Sequence, residues 1–139
     1  MIFVDTWAWV ALADRSDPYH QDADAQHQKF VAAGEQYVTT DYVVGETITY
    51  LYGALAAAHA EAFIVSLLAA ADSGNYRLIH LSPLQFRQAW QMRRKYADKP
   101  AISFVDLTSM AVMQELGITD VFTGDRHFEH VGLGFRLRP

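Results

Sequence analysis

Short apolar runs alternate with longer, helix-like segments along the whole of this 139-residue chain. The runs are rich in β-branched and aromatic residues, as buried strands are. They occupy residues 2–4, 37–40, 77–81, 121–123 and, less clearly, 135–137. Strands that alternate with helices predict right-handed crossovers and a parallel sheet covered on both faces. We therefore expect an α/β fold, a single three-layer α/β/α domain over residues 1–139 with a mostly parallel sheet of four to five strands.

Helical segments fill the spaces between these runs, at residues 6–12, 19–33, 42–52, 54–71, 83–96 and 106–116. Asp41 is expected to cap the third helix, because a side-chain oxygen there can accept from a free backbone N–H. Ser82 and Pro83 suit the cap and the first position of the fifth helix, and Gly117 ends the sixth. No repeat, linker or low-complexity tract interrupts the pattern.

The composition excludes several classes of protein. The chain has no cysteine, which rules out disulfides, thiolate nucleophiles and cysteine-held zinc. Its net charge of −5 excludes a uniformly basic nucleic-acid binder, although local basic patches remain open. The first residues do not resemble an export signal, and the apolar stretch 51–71 contains His59 and Glu61, so we predict a buried helix there. We expect a cytoplasmic protein with no membrane partner.

Four acids lie among apolar residues instead of in polar runs: Asp5, Glu46, Asp106 and Asp125. Asp5 and Asp125 come just after predicted strands, and the other two lie near the starts of helices. Ligands of open α/β sheets bind outside the carboxyl ends of the strands, so all four are expected to converge on one crevice. Each acid taken alone has an ordinary alternative role, as a helix cap, a turn residue or a solvated helix position.

Converging carboxylates repel one another and need a compensating cation. Oxygen ligands without cysteine favour a hard ion, Mg²⁺ or Mn²⁺. A divalent ion held by carboxylates can activate water and stabilise the leaving oxygen of a phosphoryl displacement. The four acids therefore predict metal-dependent phosphodiester or phosphate chemistry.

The same residues resemble the motifs of PIN-domain nucleases. They are the run from Met1 to Thr6, the isolated Glu46, the segment Ser103-Phe104-Val105-Asp106 and the run Phe122-Thr123-Gly124-Asp125-Arg126-His127-Phe128. The size and layout are most similar to the VapC-type toxins of type II toxin–antitoxin pairs, and the resemblance spans nearly the whole chain.

The resemblance implies an endoribonuclease dependent on Mg²⁺, with Mn²⁺ as the alternative, which leaves 5′-phosphate and 3′-hydroxyl products. Asp5, Asp106 and Asp125 would hold the metal, with Glu46 as a ligand directly or through water. Thr6 and Thr123 match the hydroxyl residues beside the first and last acids, and Ser103 is a weaker match. Thr123 would orient water or a carboxylate. The resemblance also implies a cognate antitoxin and a homodimer.

Basic residues provide candidate contacts to an RNA backbone. Arg87, Trp90 and Arg94 share one face of a predicted helix, although a solvated face with Trp90 in the core is the commoner arrangement. Arg126 is a candidate phosphate contact or a surface ion-pair partner. His127 is a candidate proton carrier, and its spacing argues against a zinc site.

Two further sets of apolar residues have more than one interpretation. Trp7 and Trp9 are assigned to the core. The helix pair over residues 42–71 carries a small-residue apolar surface that suits core packing, or a groove for the antitoxin that the resemblance implies. Its members are Leu51, Leu55, Ala56, Ala60, Phe63, Ile64, Leu67 and Leu68.

Three functions remain open from the sequence. The first is a toxin RNase that an antitoxin neutralises. The second is a PIN-like nuclease that processes RNA or acts on structured DNA without an antitoxin, and the third is a non-catalytic metal- or protein-binding module. A haloacid-dehalogenase-like phosphatase is disfavoured, because Asp5-Thr6-Trp7 lacks the second aspartate of the nucleophile motif.

Overall fold

Five parallel strands form one sheet in the computed structural model, which describes all 139 residues. The strands are β1 (Ile2–Val4), β2 (Tyr37–Thr40), β3 (Arg77–Ile79), β4 (Asp120–Phe122) and β5 (Arg136–Leu137). Their order is β3-β2-β1-β4-β5, and every neighbouring pair is parallel. The predicted three-layer α/β/α fold is confirmed, with a sheet that is parallel throughout.

The first strand lies at the centre of this sheet. Phe3 is paired with Val38 of β2 on one side and with Val121 of β4 on the other. All three residues of β1 are buried, as expected for a parallel strand covered on both faces. The pairing of β1 with β4 brings the two ends of the chain together and places residues 5 and 125 beyond adjacent strands.

Seven helices connect and flank the strands. They are α1 (Thr6–Ala13), α2 (His20–Ala32), α3 (Asp41–Ala54), α4 (Ala57–Asp72), α5 (Pro83–Lys95), α6 (Phe104–Leu116) and α7 (His127–His130). Ser82 and Gln85 form a capping box at the start of α5, and Gly117 ends α6 with a φ of 68°. The short helix α7 was not among the predicted helices.

The cap of α3 is a residue earlier than predicted. Thr40, not Asp41, caps the helix, because its hydroxyl accepts from the backbone N–H of Val43 at 3.2 Å. Asp41 is the first helical residue, and its carboxylate accepts from the N–H of Leu81 at 3.0 Å. That bond joins the segments that follow β2 and β3. Strand β3 ends at Ile79, two residues before the end of the predicted strand.

The core contains one of the three tryptophans. Trp9 is only 6% exposed, and its indole N–H donates to Thr39. Trp90 is 51% exposed, so its assignment to the core is wrong. Trp7 packs against the core but remains partly exposed, because one side of its ring faces a cleft.

The apolar surface of the pair α3 and α4 is divided between core and solvent. Its buried members are Leu51, Ala60, Ile64 and Leu67. Leu55 and Phe63 are partly buried, whereas Ala56 and Leu68 are exposed. Core packing thus accounts for about half of this surface.

Replacement of Thr40 by valine should lower the free energy of unfolding by about 1 kcal/mol, because the Val43 amide loses its cap. Thr49→Val is the matched control, since the Thr49 hydroxyl donates to a carbonyl within α3 and caps nothing. Urea unfolding followed by circular dichroism measures both. Equal midpoints for the two variants would contradict the role of Thr40 as the cap.

Candidate functional site

Three aspartates and one glutamate meet in a cleft at the carboxyl edge of the sheet. Asp5 follows β1, Asp125 follows β4, Asp106 lies in the first turn of α6, and Glu46 lies on α3. The cleft has a volume of about 550 Å³. Its walls consist of Asp5, Thr6, Trp7, Val10, Asp17, Pro18, Tyr19, Glu46, Tyr50, Asp106 and Asp125. The structure therefore brings the four predicted acids together, with Asp17 as a fifth.

Thr123 joins the first and last of these acids. Its hydroxyl donates to the Asp5 carboxylate at 2.8 Å and accepts from the backbone N–H of Asp125 at 3.0 Å. The residue is completely buried, so it does not line the cleft. Of the two actions predicted for Thr123, the geometry fits the orientation of a carboxylate.

Asp5 is the most deeply buried carboxylate, with 3% of the residue exposed. Its second oxygen, Oδ1, is buried and has no hydrogen-bond partner. Burial raises the pKa of Asp5 from 3.8 to about 7, and the nearby negative charges of Asp106 and Asp125 add to the shift. A buried carboxylate oxygen without a partner costs free energy, and a cation in the cleft would offset that cost.

Asp106 lies under the influence of the same charges. Burial and the carboxylates of Asp125 and Glu46 raise its pKa, while His127 opposes the shift. His127 Nδ1 lies 3.4 Å from Asp106 Oδ2 and 3.3 Å from Asp125 Oδ1. The sequence suggested His127 only as a proton carrier, because its contact with Asp106 depends on the unpredicted helix α7.

The remaining hydroxyl candidates have different surroundings. Ser103 caps α6 by accepting from the N–H of Asp106 at 3.1 Å, and it is not part of the acidic cleft. The bond fixes the backbone from which Asp106 projects. Thr6 does line the cleft, and its buried hydroxyl has no hydrogen-bond partner.

The donor set suits a hard divalent ion. Carboxylate oxygens dominate the cleft, and one ligand atom from each of Asp106, Asp125 and His127 falls within 4.8 Å of the others. Burial first, and then neighbouring carboxylates, raise the pKa values of Asp5 and Asp106, and Oδ1 of Asp5 has no hydrogen-bond partner. A cation in the cleft would offset each of these costs. These residues fit Mg²⁺ or Mn²⁺ better than a softer metal, although the His127 imidazole is also within reach.

The predicted arginine contacts lie outside this cleft. Arg126 is next to Asp125 but points towards Glu129, with 3.5 Å between Nε and Oε2. Arg87 and Arg94 are exposed on α5, and neither lines the acidic cleft. Arg94 instead borders a shallow surface depression with Trp90. A role for these arginines in RNA binding stays a prediction.

Comparison with known proteins identifies the family of this chain. The sequence matches the PIN domain over residues 2–133, which include all four acids. The chain belongs to the PIN domain family. The resemblance to VapC-type PIN nucleases is confirmed by its similarity to the 23S rRNA-specific endonuclease VapC20 of two Mycobacterium tuberculosis strains, CDC 1551 and H37Rv. Each is 33% identical over 142 residues, and the match covers 100% of this chain and 99% of the relative.

A solved structure extends this similarity to three dimensions. The crystal structure of M. tuberculosis VapC20, described as a toxin that cleaves the sarcin–ricin loop, superposes with a TM-score of 0.81 at 32% identity. The superposition covers 98% of this chain and 99% of the VapC20 chain. No helix of this PIN domain protein has the length and apolar character needed to cross a membrane.

Asp5→Asn should stabilise the metal-free protein increasingly as the pH rises. The folded protein holds a proton on Asp5 up to a pKa of about 7, whereas the unfolded chain releases it near 3.8. The free energy of unfolding of the wild type therefore falls as the pH rises from about 3.8 to about 7. The asparagine variant has no carboxyl group at this position, so its stability does not fall for this reason. The advantage of the variant should grow by about 2 kcal/mol between pH 5 and pH 8.

Urea unfolding in EDTA at the two pH values measures this difference. Asp24→Asn is the control, because Asp24 is exposed on α2 and lines no wall of the acidic cleft. A difference between Asp5→Asn and wild type that does not depend on pH would contradict the assignment.

Thr123→Val should destabilise the protein by about 1–3 kcal/mol, because it leaves the Asp5 carboxylate and the Asp125 amide without their shared partner. Thr123→Ser keeps the hydroxyl and should recover most of the loss apart from the methyl group. Thermal unfolding of both variants at one pH measures the difference. If the serine variant is as unstable as the valine variant, Thr123 stabilises the protein through packing of its methyl group and not through its hydrogen bonds.

Proposed function

We propose that this protein is a metal-dependent endoribonuclease and the toxin of a toxin–antitoxin pair. One PIN-like domain over residues 1–139 would carry the activity. The observation that carries the proposal is the convergence of Asp5, Glu46, Asp106 and Asp125 on one cleft that no lysine or arginine lines. The full-length similarity to an endonuclease described as a toxin supports it.

Asp5, Asp106 and Asp125 would hold Mg²⁺, or Mn²⁺ in its place, with Glu46 as a ligand directly or through water. When bound, the ion offsets the carboxylate charge, makes water in the cleft more acidic and stabilises the departing 3′ oxygen. The chain itself supplies orientation. Thr123 holds the Asp5 carboxylate, and the Ser103 cap holds the backbone of Asp106.

The proposed substrate is RNA, and the products are a 5′-phosphate and a 3′-hydroxyl. The relative's description as a 23S rRNA-specific endonuclease makes 23S rRNA the first RNA to test. Thr6 lines the cleft and is proposed to contact substrate. Arg126, Arg87, Arg94 and Ser103 stay weaker substrate-binding candidates, because their side chains lie outside the cleft walls.

We propose that the protein acts in the cytoplasm, as a homodimer that a cognate antitoxin neutralises. Exposed apolar side chains support protein partners. Val65 and Leu68 on α4 are 60% and 39% exposed, and Leu84 and Phe86 on α5 are 63% and 44% exposed. Val65 and Leu68 lie three positions apart and share one face of α4, where they form an exposed apolar patch that suits a protein partner, whereas Leu84 and Phe86 lie on different faces of α5.

Asp5→Asn, Asp106→Asn and Asp125→Asn should each lower the rate of RNA cleavage by at least about a hundredfold, because each removes charge needed to hold the ion. Asp24→Asn should cleave like wild type, since its side chain is exposed and distant from the cleft walls. The measurement is cleavage of purified ribosomal RNA, followed on a gel. EDTA should abolish cleavage and excess Mg²⁺ should restore it.

Wild-type cleavage in EDTA, or full activity in any of the three aspartate variants, would overturn this assignment. Expression in a host without the antitoxin separates the toxin from the other nuclease hypothesis. Growth should stop on induction of wild type and continue on induction of Asp5→Asn. Growth that continues with both would contradict a toxin while leaving the cleavage assay intact.

A further inference from the structure

A second cleft adjoins the acidic one, and the two share a wall. It has a volume of about 480 Å³. Trp7 and Tyr19 line both clefts, and the two clefts share no other lining residue. Their ring centroids are 5.4 Å apart, with an angle of 44° between the ring planes. The pair therefore forms an aromatic partition beside the cluster of acids.

The aromatic partition leaves ring surface open to solvent. Tyr19 is 53% exposed, and Trp7 is partly exposed although it packs against the core on its other side. Gly124 allows this placement of Trp7, since a Cβ at position 124 would lie 2.6 Å from two atoms of the indole ring. Trp7 is thus packed against the backbone that leads into Asp125, one residue from an acid of the site.

Three polar side chains also line the second cleft. Asp22, Gln26 and Lys29 line it from α2, and their spacing of four and then three residues places them on one face of that helix. The Lys29 ammonium takes part in none of the ion pairs of the protein. An aromatic surface in the same cleft as amide and carboxylate groups suits a ligand with a flat ring and polar ring edges, and the Lys29 ammonium can bind a phosphate beside it.

We propose that this second cleft binds a nucleotide of the RNA next to the scissile phosphate, with its base stacked on Trp7 or Tyr19. The proposal rests on the proposed nuclease function, because the acidic cleft gives the position of the phosphate. Lys29 binds a neighbouring backbone phosphate. Stacking on aromatic rings accepts any base, so the cleft would hold an unpaired nucleotide without requiring one sequence.

The test compares two RNA probes that carry the same phosphates. One is octauridylate, and the other is an abasic octamer of ribose phosphate. Binding is measured on Asp106→Asn protein, so that the probes stay intact. Octauridylate should bind about tenfold more tightly than the abasic octamer, since each base–aromatic stack contributes to affinity. Equal affinities for the two probes would overturn the proposal.

Variants of Trp7 and Tyr19 test whether the aromatic partition causes the preference for octauridylate. Tyr19→Ala and Trp7→Leu should each remove most of the preference for octauridylate, and Trp7→Phe should keep it. Tyr52→Ala is the matched control, because Tyr52 is 50% exposed and lines neither cleft. A preference that survives in Tyr19→Ala and Trp7→Leu, or that is lost equally in Tyr52→Ala, would place the stacked bases elsewhere.

Tryptophan fluorescence gives a second readout that does not depend on cleavage. Trp90→Phe removes the exposed indole of α5, and Trp9 is buried, so the fluorescence that ligands can quench comes from Trp7. Octauridylate should quench this signal and the abasic octamer should not. Quenching by both probes or by neither would contradict stacking on Trp7.

Lys29→Ala should weaken binding of both probes alike and reduce the slope of log affinity against log salt by about 1. Arg77→Ala is the control, since Arg77 is exposed on β3 and lines neither cleft. Cleavage of RNA by wild type is measured in parallel. Cleavage without a base preference refutes only the second cleft, whereas base-dependent quenching without cleavage refutes only the nuclease function.

Discussion

Carboxylates buried side by side repel one another, and the segments that converge on Asp5 must hold them together against that repulsion. The parallel pairing of β1 with β4 brings the strand ends before Asp5 and Asp125 side by side. Thr123 then holds both with a single hydroxyl group. The buried start of α6 supplies Asp106, whose pKa rises for the same reasons as that of Asp5. The fold thus keeps a concentrated negative charge, and a divalent ion is the partner that this charge suits best.

The four predicted acids of the cleft also account for most of the net charge of −5 of the chain. Without the four predicted acids, the chain has twelve acidic and eleven basic side chains. The net charge of the rest of the chain is therefore close to zero, which argues against a broad electrostatic clamp on the proposed RNA substrate. For the proposed RNA substrate, affinity would come from the ion site and from local contacts. The aromatic surface of Trp7 and Tyr19 would then have a larger share of the binding energy than it would have in a basic protein.

The sequence was sufficient to predict the sheet and the meeting of the acids, because both depend on local patterns. Asp5 and Asp125 each follow an apolar run that predicts a strand. Once the strands are parallel, both acids are expected at the same edge of the sheet. The cap of α3 could not be predicted in the same way. Thr40 and Asp41 are both good caps, and the choice between them depends on the Leu81 amide, forty positions away in the chain.

Other details of the site depend on equally distant partners. Trp7 is partly exposed because one side of its ring faces a cleft. Its contacts with Gly124 and Tyr19 come from other parts of the chain, and no pattern near residue 7 reveals them. His127 reaches Asp106 because a four-residue helix turns it towards the cleft, and such short helices have weak sequence patterns. The prediction that Trp90 lies in the core is wrong because a local pattern is misleading there: a large aromatic ring on an amphipathic helix usually faces the core, but Trp90 faces solvent.

The hydrogen bond between Thr123 and Asp5 spans 118 positions of the chain. The central strand β1 comes before β4 in the chain, and one of its edges finds its partner only when β4 has been made. A growing chain, or a fragment cut before residue 120, therefore contains no complete set of acids and no support for Asp5. The cleft is therefore complete only when β1 and the segment after β4 are both present, so a chain that lacks residues 120–125 lacks part of the acid set that we propose to hold the ion.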